Sequence, residues 1–241
     1  MDVLRVDGVY KFYGDIEAVR NINFSVKKGE IFGLIGPNGA GKTTALRMIS
    51  TLITVSSGSI TVCGHDVATE GNAVRECISY LPEDAGAYKE MTGRKYLQFI
   101  SGFFGDSAER EEILRRGIEI SNLGKRIDSK VGTYSKGMMR RLLISRAIMT
   151  RPELAIMDEV TSGLDVMNAH SIRTLIREIA DSGVTVLLSS HNMFEVESLC
   201  DRVAMINKGK IIMEGSPSEL LKKYDANNLE EVFIKGVRVF E

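Results

Sequence analysis

The stretch Gly36-Pro37-Asn38-Gly39-Ala40-Gly41-Lys42-Thr43 follows the apolar run Ile31 to Ile35 and leads into Thr44 to Ile49, a helix-compatible run. A buried strand that passes through a glycine-rich loop into a helix makes a phosphate-binding loop. Glycines let the backbone close around an anion, and the N–H groups at the helix start, together with the helix dipole, favour negative charge. Lys42 then reaches the β- and γ-phosphates and neutralises charge during transfer. Thr43 brings the hydroxyl that such loops place on Mg²⁺, and Thr44 completes the nucleotide-binding set. With glycine near 7% of residues, the four fixed letters arise by accident in roughly one chain in a hundred of this length, so the flanking strand and helix decide the reading.

At 241 residues the chain is long enough for a well-buried core. Hydrophobic content of 44%, charge of 26% and a net charge of −1 describe an ordinary globular protein, with no overall basic surface of the kind that nucleic acid requires. No run approaches the roughly 18 apolar residues of a membrane span. Charges at Asp2, Arg5 and Asp7 argue against a secretory leader. Cys63, Cys77 and Cys200 lack metal-ligand or redox spacing, and are expected to be reduced and mostly buried in a cytoplasmic protein.

Short apolar runs at Ile31–Ile35, Ile78–Leu81, Leu154–Met157, Val184–Ser189 and Val203–Ile206 predict strands, with helical patterns between them. The expected fold class is α/β, wound around a mostly parallel sheet. Ile172, Leu175, Ile176 and Ile179 mark the buried face of one helix. Asn207-Lys208-Gly209 predicts a hairpin turn, and Ser216-Pro217-Ser218-Glu219 a capping box with Pro at the first helical position. Between about Thr92 and Ile120, two helical patterns form a helical insert. One carries Tyr96, Leu97, Ile100, Phe103 and Phe104 and the other Ile113, Leu114 and Ile118, with a cap at Asp106–Glu109 between them.

A phosphate-binding loop alone leaves the reaction undefined, because hydrolysis also needs a metal, a positioned water and charge neutralisation. Leu154 to Met157 is a continuous apolar strand that ends in Asp158 and Glu159, placing two carboxylates at the strand edge where open α/β sheets bind ligands. Asp158 suits a place near Mg²⁺, and Glu159 suits polarisation of the attacking water. An Asp-Glu pair after a strand also serves as a helix cap, and the phosphate-binding loop favours the catalytic reading.

Taken together, Gly36–Thr43, Tyr134-Ser135-Lys136-Gly137-Met138, the strand ending in Asp158-Glu159, Ser162-Gly163-Leu164-Asp165 and the isolated His191 resemble the ATP-binding subunits of ABC transporters. The resemblance covers roughly residues 1 to 220, and five motifs in the family's order are far more specific than any one. It is strongest toward the subunits of exporters that move drugs, lipids or polysaccharides. The family implies a P-loop NTPase core with a mostly parallel sheet, an antiparallel β subdomain near the N-terminus and a helical subdomain inserted at about 85–145. Residues 1–220 then form one ATPase domain, and 221–241 a C-terminal tail with a short helix that carries Leu229, Val232 and Phe233 on one face.

By the same resemblance the ligands are ATP and Mg²⁺, and the nucleotide lies between two subunits. It contacts Gly36, Pro37, Asn38, Gly39, Ala40, Gly41, Lys42, Thr43 and Thr44 of one, and Ser135 and Gly137 of the other. Tyr13 stacks on adenine. Thr43, Glu83 and Asp158 take the metal, Glu159 is the catalytic base, and His191 bonds the γ-phosphate. The partner is a second ATP-binding subunit, identical or different, and separate transmembrane permease subunits hold the pair at the cytoplasmic face of the membrane. The insert and the Glu83 loop, with Tyr88, Met91 and neighbouring Phe side chains, would form the docking surface. The chain departs from the family pattern at Tyr134, Lys136 and Met138, at Glu83 where Gln is usual, and at Val160 where Pro is usual. An ABC-type ATPase acting on DNA or ribosomes is the rival reading; the coiled coils, tandem halves or basic extensions of such proteins are not visible in these 241 residues. A P-loop kinase or GTPase would need an acceptor site or a guanine-reading motif, and neither is visible. His65 and His170 are expected at the surface or in packing.

Overall fold

The computed structural model describes residues 1–240. The chain opens with β1 (Asp2–Tyr13) and β2 (Ile16–Lys27), then β3 (Ile31–Ile35), α1 (Lys42–Ile49), β4 (Ser57–Val62), β5 (His65–Asp66), α2 (Gly71–Cys77) and β6 (Ile78–Leu81). The insert holds α3 (Gly93–Ser101), α4 (Ser107–Ser121), two short 3₁₀ turns at Gly124–Asp128 and Val131–Thr133, and α5 (Lys136–Ile148). After it come β7 (Leu154–Asp158), α6 (Val166–Asp181), β8 (Thr185–Ser190), α7 (Met193–Leu199), β9 (Arg202–Asn207), β10 (Lys210–Gly215), α8 (Pro217–Tyr224) and α9 (Leu229–Phe240).

Two sheets result. The first is antiparallel in the order β2-β1-β4-β5; the second runs β10-β9-β3-β8-β7-β6, parallel except for the β9–β10 hairpin. All five residues of β3 and of β7 and all six of β8 are buried, because both faces of this sheet are covered. Alternation divides them between two cores. Ile31, Ile35, Ala155, Met157, Val186 and Leu188 pack with the insert and α6, while Phe32, Leu34, Leu154, Ile156 and Leu187 pack with α1 and the antiparallel sheet. Register then brings the ends of β3, β7 and β8 level, with Ile35 opposite Ser190 and Asp158 opposite Ser189. The functional loops leave the sheet side by side for that reason.

Each strand read from the sequence is present, with no end shifted by more than one residue. The Asn207–Gly209 turn places Lys208 and Gly209 at positive φ, the Ser216 capping box forms with Pro217 at the helix start, and Asp106 caps α4. The insert differs from expectation in one respect. Helix α3 stops at Ser101 with Gly102 at its cap, so Phe103 and Phe104 lie past its end and are 70% and 41% exposed rather than part of a buried face. Tyr88 and Phe99 are exposed as well, whereas Met91 packs against the core. The expected boundary at 220 falls inside α8, and Leu229 and Val232 of α9 are fully buried.

Candidate functional site

The loop after β3 folds tightly. A Cβ on Gly36 would collide with the carbonyl oxygen of Ile206 in the neighbouring strand β9. Gly41 caps α1 in a left-handed conformation at φ 107°, where L side chains are disfavoured, and no side chain occupies the cap. The first turn of α1 also lacks acidic residues, so its N–H groups and the helix dipole are left to act on an anion. Asn38 to Thr44, Ala18, Glu83 and Glu159 line a cavity of about 180 Å³. Ala18 was not legible as a site residue; it arrives from β2, whose Arg20 N–H bonds the Gly209 carbonyl while Gly209 N–H bonds Ala40.

Lys42 and Glu159 are buried in the cavity wall and tied to each other, while Glu83, which also lines the cavity, is exposed. Lys42 Nζ donates to the carbonyl oxygens of Gly36 (2.8 Å) and Pro37 (3.2 Å) and lies 3.4 Å from Glu159 Oε1, with both side chains under 10% exposed. Glu159 Oε1 has no hydrogen-bond partner, so this ion pair alone compensates its burial. Glu159 Oε2 lies 2.8 Å from His191 Nδ1. An ionised carboxylate only accepts, so this contact puts a proton on Nδ1. Asp158, one residue earlier, is 1% exposed and accepts from Ser189 Oγ.

Ser189 is a site residue that sequence reading missed. Its hydroxyl also accepts from Glu159 N–H at 3.2 Å, so one side chain fixes both acids. The signal available was a polar pair, Ser189-Ser190, at the end of an apolar strand. Glu159 itself has φ 51°, a left-handed backbone that costs a non-glycine residue on the order of 1 kcal/mol and persists only when surrounding bonds impose it.

The remaining sequence-predicted residues lie outside the cavity lining. Tyr13 ends β1, 47% exposed, with Lys11 Nζ 5.3 Å from its ring centre. Ser135 caps α5, accepting from Met138 N–H at 3.2 Å. Lys136, the next residue, has an ordinary helical backbone, so the lysine in this motif is unstrained. Gly137 is buried against α6, where a Cβ would collide with the Asn168 side chain. Asp165 caps α6 by accepting from Asn168 N–H at 3.0 Å. Burial lowers the Arg140 guanidinium pKa, with Glu83 acting in the opposite sense, which places the Glu83 loop within electrostatic reach of α5. His65 bonds Glu70 at 3.0 Å and His170 is exposed; neither joins the site.

Residues 19–162, more than half the chain, match the family described as ABC transporter. The chain belongs to that family. The linearmycin resistance ATP-binding protein LnrL of Bacillus subtilis (strain 168) is 36% identical over 236 residues, covering 98% of this chain and 76% of the relative. The Nod factor export ATP-binding protein I of Rhizobium sp. (strain N33) is 37% identical over 227 residues, covering 94% and 75%. Among solved structures, an ATP-binding subunit of an ABC transporter superposes with a TM-score of 0.85 at 27% identity over 98% of this chain and 99% of that one. The ATP-binding cassette MJ0796, dimeric and bound to ADP and Pi, shares the fold with a TM-score of 0.77 at 22% identity, over 88% and 98% of the two chains. This ABC subunit binds ATP and hydrolyses it to power a membrane transporter. Its α/β core with an antiparallel N-terminal sheet is the ATP-binding cassette fold.

Proposed function

We propose that this ABC subunit drives export, and that it works as one half of a head-to-tail pair docked on separate transmembrane permease subunits at the cytoplasmic membrane face. The named relatives act in Nod factor export and linearmycin resistance, which supports the direction. Among the described residues no helix is long and apolar enough to cross a membrane, and this reading gives the membrane path to the permease subunits. In this reading residues 1–220 form one ATPase domain with the helices of about 85–145 inserted, and 221–241 a tail.

The observation that carries the catalytic assignment is the convergence of Lys42, Glu159 and His191 at the ends of three adjacent strands. Lys42 exchanges its bonds to Gly36, Pro37 and Glu159 for the β- and γ-phosphates. Glu159, released from Lys42, polarises the attacking water, while His191 Nε2 faces the γ-phosphate. Tyr13 holds the adenine. Ser135 and Gly137 close on the phosphate of the partner's ATP.

Thr43 and Glu83 in the cavity lining, with Asp158 beside it, offer the hydroxyl and carboxylate oxygens that Mg²⁺ prefers. Among the described residues no group of three or more acidic, His or Cys side chains would hold a metal alone, and Mg²⁺ at such sites characteristically shares its shell with phosphates and water. Bound there, the ion would screen charge between the phosphates.

The exposed ring series Tyr88, Phe99 and Phe103, joined edge to face at 5.7 and 5.2 Å, suits a short amphipathic helix of the permease. The test is purification from membranes with the native permease and ATP-driven cargo efflux from vesicles. Phe103→Ser should leave ATP hydrolysis by the isolated subunit intact, change stability by no more than about 0.5 kcal/mol, and reduce recovery of the permease. Full recovery would remove this ring from the docking surface.

A further inference from the structure

Glu195 lies in the first turn of α7, four residues past His191, with its side chain only 17% exposed. One carboxylate oxygen accepts from Thr161 Oγ, in the loop that follows Glu159. The other accepts from Arg173 Nη1 of α6 at 3.0 Å. One side chain thus joins the Glu159–Asp165 loop, the helix that this loop enters, and the helix that follows His191. The rest of α7 is held too, since Arg177 bonds both the Leu199 carbonyl and Asp201, and Asp201 accepts from Ile31 N–H of the central strand β3 at 2.8 Å.

The loop needs such a hold. Glu159 is in a left-handed conformation at φ 51°, which relaxes unless its flanks are fixed. On the preceding side Ser189 holds its N–H. On the following side Ser162 N–H returns to the Glu159 carbonyl at 3.0 Å, and Thr161, inside that turn, is anchored by Glu195.

We infer that Glu195 is a positioning residue for hydrolysis: through the Thr161 hydroxyl it fixes the turn that aims the Glu159 carboxylate, and through α7 it ties that aim to His191. This rests on Glu159 being the base. Glu195 lies outside the lining of the phosphate cavity and both its carboxylate oxygens are taken by Thr161 and Arg173, so the effect falls on turnover and not on ATP affinity. The Thr161 backbone carbonyl also receives Leu164 N–H at 3.2 Å, so the anchored turn continues to the residue before Asp165.

The decisive experiment is steady-state ATPase kinetics on Thr161→Val, Glu195→Ala and the double variant, with ATP affinity measured separately by fluorescence titration. Thr161→Val is near-isosteric and removes the hydroxyl alone. It should lower kcat about tenfold with ATP affinity unchanged, and Thr161→Ser should restore kcat. If Glu195 acts through Thr161, the double variant loses no more than the worse single variant. Unchanged kcat in Thr161→Val, failure of Thr161→Ser to restore it, or losses that multiply in the double variant would overturn the inference. Should Glu195→Ala fail to fold, the Val and Ser pair at 161 still decides. Full turnover by Glu159→Gln would instead remove the base assignment; an inactive Glu159→Gln beside a fully active Thr161→Val removes only the role of Glu195.

Discussion

The cavity at the sheet edge and the start of α5 both carry residues suited to phosphate, yet they are built in opposite ways. In and beside the cavity, Lys42, Asp158 and Glu159 are buried, Lys42 paired with Glu159 and bonded to loop carbonyls, and both acids held by Ser189, so their geometry is set before any ligand arrives. At α5, Ser135 and Lys136 are exposed, and the Ser135 hydroxyl does no more than cap its own helix. One region is ordered from within by two hydrophobic cores; the other presents its donors outward. The difference is that between a site with its own chemistry and a surface that another molecule must meet.

The largest effect separating the two regions should come from Glu159→Gln. Its turnover falls by about 10²–10⁴-fold, the range of a general base, while ATP binding persists and gel filtration shows a dimer that depends on ATP. Hydrolysis at the parent rate would break the assignment. Lys42→Ala acts in the same cavity on binding: losing a charge-assisted bond worth about 1.5–3 kcal/mol lowers ATP affinity by roughly ten- to hundredfold in calorimetry. Gly137→Ala probes the start of α5 from beneath, since Gly137 is buried against α6 behind the exposed Ser135 and Lys136. The added methyl pushes on Asn168, costing about 1–3 kcal/mol of stability, and ATP-driven dimerisation weakens while the single subunit keeps its nucleotide affinity. Lost affinity in that variant would mean that the two regions are not separable.

The smallest effect concerns the thiols, which belong to neither region. Burial pushes Cys63, Cys77 and Cys200 above the ordinary thiol value of 9.0. The folded thiols hold their protons after those of the unfolded chain have ionised, so stability is unaffected below about pH 8.5 and declines as pH rises beyond it. Thiol modification of native protein at pH 8 should be slow and should accelerate on denaturation. Rapid native labelling would show that these side chains are not shielded.

Much of this was legible in order along the chain. Continuous apolar runs gave the strands of the parallel sheet, Asp106 and Ser216 announced helix starts, and glycine spacing gave the phosphate loop, because each depends on neighbours within a few residues. The overshoot at Phe103 and Phe104 has a local cause in Gly102, where the helix ends and leaves two apolar rings in solvent. Ala18, Ser189 and Glu195 were not legible as site residues, since an alanine in a strand, a serine at a strand end and a glutamate on a helix carry no mark of their own.

The α/β class, the strand that ends in Asp158 and Glu159, and the phosphate-binding chemistry of Gly36–Thr43 can all be read along the chain. Tertiary structure alone decided that Lys42, Glu159 and His191 meet, that Ser189 fixes both acids, and that Ser135 and Gly137 stay out of the cavity of their own chain. The physical reason is that local pattern encodes which face of an element is buried. Only the parallel register of β3, β7 and β8 fixes which loops, far apart along the chain, leave the sheet within bonding distance.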